Sequence, residues 1–425
     1  MRWWDDLLHR ILPSRRRAAR PRPVLAPEAE LDAWLERCRE SGDRAALRDV
    51  MRRKSLSLYE RGAWDEAMAL LAEEERLATE LGDQSAIVAW LGDRAALSFG
   101  RGHWKEAARL LARQEEILRG LGSGEERALA QCLNNRATVM LARGEIREAS
   151  ALYDEVESLC RRLHDSDLLV QALCNLAVIC ETQGDLEEAG VLLDEAEKLC
   201  GTSGDELAMA EVLTCRAGVA RTHGDRAGAL GLDRQAGAIY QRLGAKTGLA
   251  KSLGNQAVLC RELGRLDDAL ALHDIEQRMY EELEHPQGLA LSMGERALTL
   301  SRQGHHDAAL ELLRRQEHIA KDLGDRPQYA QSLGSQALVL TAAQRFDDVL
   351  DIMEEEAQLF RELREAEGLA TALYNQARFV FEKLGDAQRA LPTAREAQEL
   401  FQRLHSPHRS AADQLVAELE VATRA

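Results

Sequence analysis

Aromatic residues make up only 4% of this 425-residue chain. Strands favour aromatic and β-branched side chains, so that scarcity argues against a β-rich fold. Proline is also scarce: eight residues, none of them between Glu28 and His285. Long helices meet no break there. No apolar run reaches the roughly 18 residues that a spanning helix needs. Asp5, Asp6, His9 and Arg10 interrupt the apolar stretch that a secretory leader would require. The eight cysteines include no CxxC pair, so small buried side chains are expected rather than a disulfide or zinc framework. The net charge of −17 lacks the basic excess that nucleic-acid binding uses, and no nucleic-acid partner is expected. The cytoplasm is the expected compartment.

Ala, Leu, Glu and Arg fill the chain instead, and these are strong helix formers. Their order is periodic. Gly62, Gly102, Gly144, Gly184, Gly224, Gly264, Gly304 and Gly385 each precede a polar turn and a new helical run, and Gln344 takes the same place in the eighth unit. The intervals are 40, 42, 40, 40, 40, 40, 40 and 41 residues. A small residue follows five positions on, as in Ala67, Ala107, Ala149 and Ala189, and an alanine stands seven before, as in Ala95, Ala137 and Ala177. A second turn falls half a unit later, as in Leu81-Gly82-Asp83 and Leu323-Gly324-Asp325. Each unit therefore reads helix, glycine turn, helix, turn, with helices of roughly 25 Å. One helical pair cannot bury its apolar face alone, and stacked pairs build a continuous core.

The register divides the chain into a tail and linker over 1–27, a capping helix over 28–43, nine units over 44–404 and a closing helix over 405–425. It also places Cys160 and Cys200 in a slot shared with Tyr240, Tyr280, Phe360 and Phe401, and Cys180 and Cys260 in one shared with Met140, Leu300 and Leu340. Both slots read as core. Trp64 and Trp104, two residues after their landmarks, also read as core. Gly254, Gly294 and Gly334 recur ten residues before a landmark. A glycine inside a helix costs about 1 kcal/mol against alanine, so crowding by a neighbouring helix or a ligand is expected there. The runs Glu73-Glu74-Glu75 and Glu354-Glu355-Glu356 read as solvated helix faces.

No GxxxxGK[ST], HExxH, GxSxG or EF-hand pattern occurs. His305-His306 are adjacent and do not share a helix face, so no metal site is expected from them with His318. Neither an enzymatic role nor a cofactor is expected.

The Leu253-Gly254-Asn255-Gln256-Ala257 signature, the turn glycine and the alanine of the second helix resemble tetratricopeptide repeats. The period of 40 and the missing terminal proline depart from the common pattern. They are similar to the long-helix repeats of Pins/LGN polarity adaptors, kinesin light chains and bacterial peptide-sensing regulators. The resemblance implies an all-α, right-handed superhelical solenoid whose first helices line a concave groove. In that family the groove holds an extended peptide or a helix.

The implied groove positions lie nine before the landmark: Asp93, Asn135, Asn175, Cys215, Asn255, Glu295 and Ser335, with Asn375 equivalent after a one-residue shift. Asparagine is a poor helix-interior residue, yet its amide donates and accepts at once. That suits a peptide backbone; it equally suits bonds between neighbouring helices. Gln131, Gln171, Lys251 and Gln331 are expected beside them. Arg221, Arg261 and Arg302 are expected inward, where they would meet an acidic segment or lie as a solvated charged face. Leu56 stands where the family's carboxylate clamp has asparagine, so chaperone-tail binding is not expected. The resulting expectation is an adaptor for a protein or peptide partner. The alternative is a peptide-sensing regulator that changes superhelix shape.

The tail stands outside the register. Trp3, Trp4, Leu7, Leu8 and Ile11 form one apolar stripe, followed by Arg15, Arg16 and Arg17. Seven arginines against Asp5 and Asp6 make residues 1–26 net positive on an acidic body. Three docking targets fit: an anionic membrane surface reached through residues 1–17, a partner's groove, and the chain's own acidic solenoid.

Overall fold

The computed structural model describes residues 28–60, 63–122, 124–404, 406 and 408–424. The tail residues Trp3, Trp4, Leu7, Leu8, Ile11, Arg15, Arg16 and Arg17, and the first landmark Gly62, lie outside the described residues. Twenty helices, and no strand, occur among the described residues.

A first helix, α1 (Glu28–Ser41), precedes nine antiparallel hairpins. These are α2 (Arg44–Glu60) with α3 (Trp64–Leu81), α4 (Gln84–Gly100) with α5 (Trp104–Leu121), and α6 (Glu126–Ala142) with α7 (Ile146–Leu163). Next come α8 (Ser166–Gln183) with α9 (Leu186–Ser203), α10 (Glu206–Thr222) with α11 (Arg226–Arg242), and α12 (Lys246–Glu262) with α13 (Leu266–Glu282). The last three are α14 (Pro286–Arg302) with α15 (His306–Leu323), α16 (Arg326–Ala342) with α17 (Val349–Leu363), and α18 (Ala366–Leu384) with α19 (Ala387–Arg403). A final helix, α20 (Arg409–Arg424), lies on the ninth hairpin. The first and second helices of each unit are called A and B below.

Turn chemistry sets these boundaries. Gly184 and Gly385 end their helices at φ +82° and +70°, a left-handed conformation that costs glycine nothing. Gln344 adopts the same conformation at φ +58°, so the eighth unit keeps the turn without the glycine. The aspartate that follows many of the turns then caps the next helix. Asp83, Asp165, Asp205 and Asp325 accept from the third amide of A helices, and Asp185, Asp225 and Asp386 do so for B helices.

Each hairpin packs A on B, and each B then packs on the next A. Neighbouring A helices also approach one another, whereas neighbouring B helices are bridged by long side chains such as Arg161 to Glu195. The A helices therefore line the inside of the curve.

Two size rules organise the core. A cavity would cost stability and so would an overlap, so facing slots must sum to a constant volume. Gly92, Gly294 and Gly334 of A helices face Gln114, Gln316 and Glu356 of their own B helices; an added Cβ would stand 2.8 and 2.7 Å from the first two side chains and would overlap the third. Where the A slot holds Asn134, Cys174 or Thr214, the B slot holds Val156, Ala196 or Ala236. The glycine crowding thus comes from the partner helix. Likewise Gly248, Gly288 and Gly368, near the start of A helices, receive the rings of Tyr240, Tyr280 and Phe360.

Glu74 and Glu356 correct the solvated-face reading of the two glutamate runs. Only 1% and 9% of their surfaces are exposed, because their slot points at the A helix. The pairing of Gly334 with a long residue 22 positions on was the signal in the sequence. Burial pushes both carboxyls up to about 8; for Glu74 the neighbouring Asp93 adds to this and Arg52 opposes it. Seven of the eight cysteines are buried and Cys180 is half-buried, all as free thiols. Trp64 and Trp104 are buried, and the Trp64 indole donates to the Tyr59 carbonyl at 3.2 Å.

Candidate binding face

The inner face is built from A helices, whose outward-turned positions recur at one-unit intervals. Asn135 and Asn175 occupy that line in the third and fourth units and are buried, 4% and 1% exposed. The Asn175 amide donates to the Asn134 oxygen of the preceding A helix at 3.3 Å, and Gln131 donates to the Asn135 oxygen at 3.1 Å. Asn175 therefore ties two helices together, while Asn135 accepts from within its own helix. At Asp93 the same line carries an ion pair: Arg52 of the first unit donates to its carboxylate from Nε and Nη2.

The expected arginines serve the same end. Arg261 donates to the Glu295 carbonyl at 3.1 Å and pairs with its carboxylate at 2.8 Å, both side chains mostly enclosed. Arg302 is exposed and its Nη1 donates to the Arg261 carbonyl at 2.9 Å. Arg221 is exposed, with Glu262 at 3.9 Å. Successive units are thus pinned by the charges that the sequence offered to a ligand.

Gln131, Gln171, Lys251, Asn255, Gln331 and Asn375 are half-buried. They present a polar line along the A helices of the third, fourth, sixth, eighth and ninth units. Leu338, one A-helix turn from Ser335, is 51% exposed beside it. Lys251 stands near His285 at the start of α14. Enclosure, followed by that ammonium, lowers the His285 pKa to about 4. The neutral ring accepts from the Gly288 amide at 2.9 Å, which caps the helix. Sequence reading missed this role because histidine is an uncommon cap.

One buried constellation has the residue types of a hydrolase. His273, Glu276 and Ser292 are at most 2% exposed. The Ser292 hydroxyl donates to Glu276 Oε2 at 2.7 Å, and the same oxygen lies 2.9 Å from His273 Nδ1. The carboxylate, not the imidazole, holds the hydroxyl, and solvent does not reach it. The arrangement is a core network joining α13 to α14. Among the described residues no group of three or more His, Cys, Asp or Glu side chains could hold a metal ion. No described helix is long and apolar enough to cross a membrane. A shallow recess lined by Glu399, Gln402, Arg403 and Arg409 lies at the C-terminal end, away from the inner face.

Tetratricopeptide-repeat family models match residues 129–202 and 290–315. No curated protein matches the chain. Among solved structures, a Rap protein complexed with Competence and Sporulation Factor is similar with a TM-score of 0.56 at 13% identity, over 80% of this chain and 99% of that one. A STAND protein with a tetratricopeptide repeat sensor from Pyrococcus horikoshii gives 0.49 at 13% identity, over 88% of this chain and 55% of that one. BtubC from P. vanneervenii gives 0.44 at 21% identity, over 51% of this chain and 91% of that one. The Rap likeness concerns the fold. With the 40-residue register, the hairpin stack and the family matches, it makes the chain a tetratricopeptide-repeat protein.

Proposed function

We propose that this solenoid is an interaction scaffold that holds a peptide or helical segment of a partner along its inner face. The observation that supports the reading is the half-exposed polar line of Gln131, Gln171, Lys251, Asn255, Gln331 and Asn375, on five of the seven A helices from the third to the ninth. Amides at unit spacing offer donors and acceptors to an extended backbone, and Lys251 adds one positive charge. The Rap neighbour was solved with a bound factor, which fits this use of the fold. The buried asparagines and tied arginines are given a supporting part: they hold the line in place.

The test is co-purification from native lysate with matched variants. Gln171→Ala combined with Lys251→Ala and Gln331→Ala should lose the partner. Lys198→Ala with Glu399→Ala, exposed on B helices, should keep it. Equal recovery by both sets overturns the reading. The tail is proposed as a second contact. Liposome co-sedimentation of the full chain against a chain starting at residue 28 tests its membrane form, and equal binding excludes it.

A further inference from the structure

The turns of this solenoid are chemically alike but not equally covered. An added Cβ at Gly42, Gly82, Gly122, Gly184, Gly204, Gly224, Gly244, Gly264, Gly304 or Gly385 would meet nothing within 4 Å. Three turn glycines differ. At Gly102 it would stand 2.8 Å from Pro327 Cδ and 3.0 Å from Leu363 Cδ2; at Gly144, 3.0 Å from Leu404 Cδ2; at Gly324, 3.4 Å from Arg101 Nη2. The A–B turns of the second and third units therefore touch the opposite edge of the eighth and ninth, six units further on.

Equivalent leucines confirm the contact independently. Leu81, Leu121 and Leu243 end their B helices 44%, 43% and 44% exposed, while Leu363 in the same slot is 8% exposed. Leu323, again the same slot, packs on the core of the first five units. Charge lines the contact as well. Enclosure lowers the His103 pKa; Arg101 adds to this, Glu106 opposes it, and Arg326 of the eighth unit lowers it further. Each arginine keeps a carboxylate on its own side, Asp65 for Arg101 and Glu362 for Arg326, and among the described residues no ion pair crosses the gap. The contact is a small apolar clasp: a proline ring and two leucines on two bare glycine turns.

We infer that this seam is a releasable clasp that closes the solenoid into one complete turn and so regulates access to its inner face. Release is cheap at the seam because few side chains cross it. It needs compliance elsewhere, which the middle units supply: α11 carries Gly228, Gly231 and Gly237, and the apolar clusters there are small. Access to the inner face rests on the binding reading above; the clasp itself does not, and its test uses no ligand.

The experiment compares matched double variants of the full chain. Gly102→Asn with Gly144→Asn puts side chains into the seam. Gly184→Asn with Gly264→Asn makes the same change in open turns of similar φ, +82° and +78° against +75° for both seam glycines. Asparagine tolerates that conformation, so backbone cost is shared by the two pairs. The seam pair should show a larger radius of gyration by small-angle scattering, and amide exchange over 323–328 and 360–364 should be faster by about tenfold. The open pair should match the wild type in both. Leu363→Ser against Leu243→Ser repeats the comparison without touching a glycine. If the seam pair matches the wild type, or both pairs expand equally, the clasp is wrong. Loss of partner by the inner-face variants with an intact clasp would bear on binding alone.

Discussion

The second to fourth units and the fifth to seventh fill the same hairpin geometry with different matter. The first group shares one apolar cluster running from Leu58 to Cys215, with Trp90, Leu91, Leu111, Leu133, Tyr153 and Leu173 buried in it. In the second, the fifth and sixth units hold a small cluster in which Ala217, Ala229, Ala257 and Ala269 predominate, and the seventh joins a larger one through Ala297, Ala309, Leu310 and Leu313. Between these lie buried polar groups: Asp233, Ser252, Gln256, His273, Glu276, Ser292 and Gln316. The convex surface changes in step. Arg119 pairs with Glu155 and Arg161 with Glu195, but the same slots further on hold Gly201 with Gln235 and Gln241 with Ile275, which cannot form an ion pair. Apolar burial contributes about 25 cal/mol per Å², whereas an exchanged hydrogen bond nets only about 1 kcal/mol. A repeat array is as stiff as its weakest neighbour contacts. The middle helices approach one another closely, through alanine and glycine, but bury less apolar surface between them, and on that ground the middle units are expected to yield first.

The contrast is broken most directly at its strong end. Trp90 is 2% exposed and its indole donates to the Leu71 carbonyl at 2.7 Å, joining the first unit to the second. Trp90→Ala should cost about 3–5 kcal/mol. Urea denaturation followed by circular dichroism measures it, and a cost near that of a surface change would remove the distinction between the halves.

The next effect tests whether polar slots weaken a unit. Glu356 has a folded pKa of about 8 against 4.5 as its ordinary value, with burial as the cause. A raised carboxyl is fully stabilising in its protonated form below the ordinary value, and that contribution is lost as pH rises towards 8. Glu356→Gln keeps the shape, uses the residue already present at Gln114 and Gln316, and cannot ionise. It should leave stability near pH 4 unchanged and raise it at pH 8.5 by on the order of 2 kcal/mol. Thermal melts at the two pH values decide it; an equal effect at both would show that Glu356 is not held protonated.

Much of this fold was legible because a repeat averages its own signal. Nine copies of one landmark fix the helices, turns and slots even where one copy departs, as Gln344 does. Slot partners were harder to read. Gly334 announces a crowded helix and a long residue stands 22 positions on, but only the packed helices show that the two slots face each other. The candidate face was harder still. Asn175 and Arg261 have the residue types and spacing of ligand contacts, yet each finds a partner on the adjacent unit. Sequence register gives the face of a helix; it does not say whether the next helix reaches that face first. The seam was invisible, since 222 residues separate Gly102 from Gly324 and nothing in the local pattern marks either turn.

The size rule between A and B helices gives a smaller and cleaner measure. Gly294 faces Gln316, whose amide nitrogen and oxygen are both buried without a hydrogen-bond partner. Gly294→Ala alone gains about 1 kcal/mol of helix propensity but collides with that amide, so it should be neutral or destabilising. Gln316→Ala alone leaves a void. Together they recreate the pairing of small side chains seen at Cys174 and Ala196, and the double variant should exceed the wild type by about 1 kcal/mol. Additive single effects in this cycle would mean that the two slots do not sense each other.

The smallest effect concerns the convex ladder. Arg161 is half exposed and reaches Glu195 of the next unit and Glu157 of its own, both at 2.8 Å. Exposed pairs are worth little, and Arg161→Gln should cost about 0.5 kcal/mol at low salt and less in high salt. Its value lies in position. Gln241 already holds the equivalent place two units on, so the variant makes the third unit resemble the fifth at the surface while its core stays apolar. If amide exchange in α7 and α9 then rises to the level of α11 and α13, the surface ladder governs stiffness. If it stays low, the apolar core does, and the compliance of the middle follows from its alanines, glycines and buried polar groups.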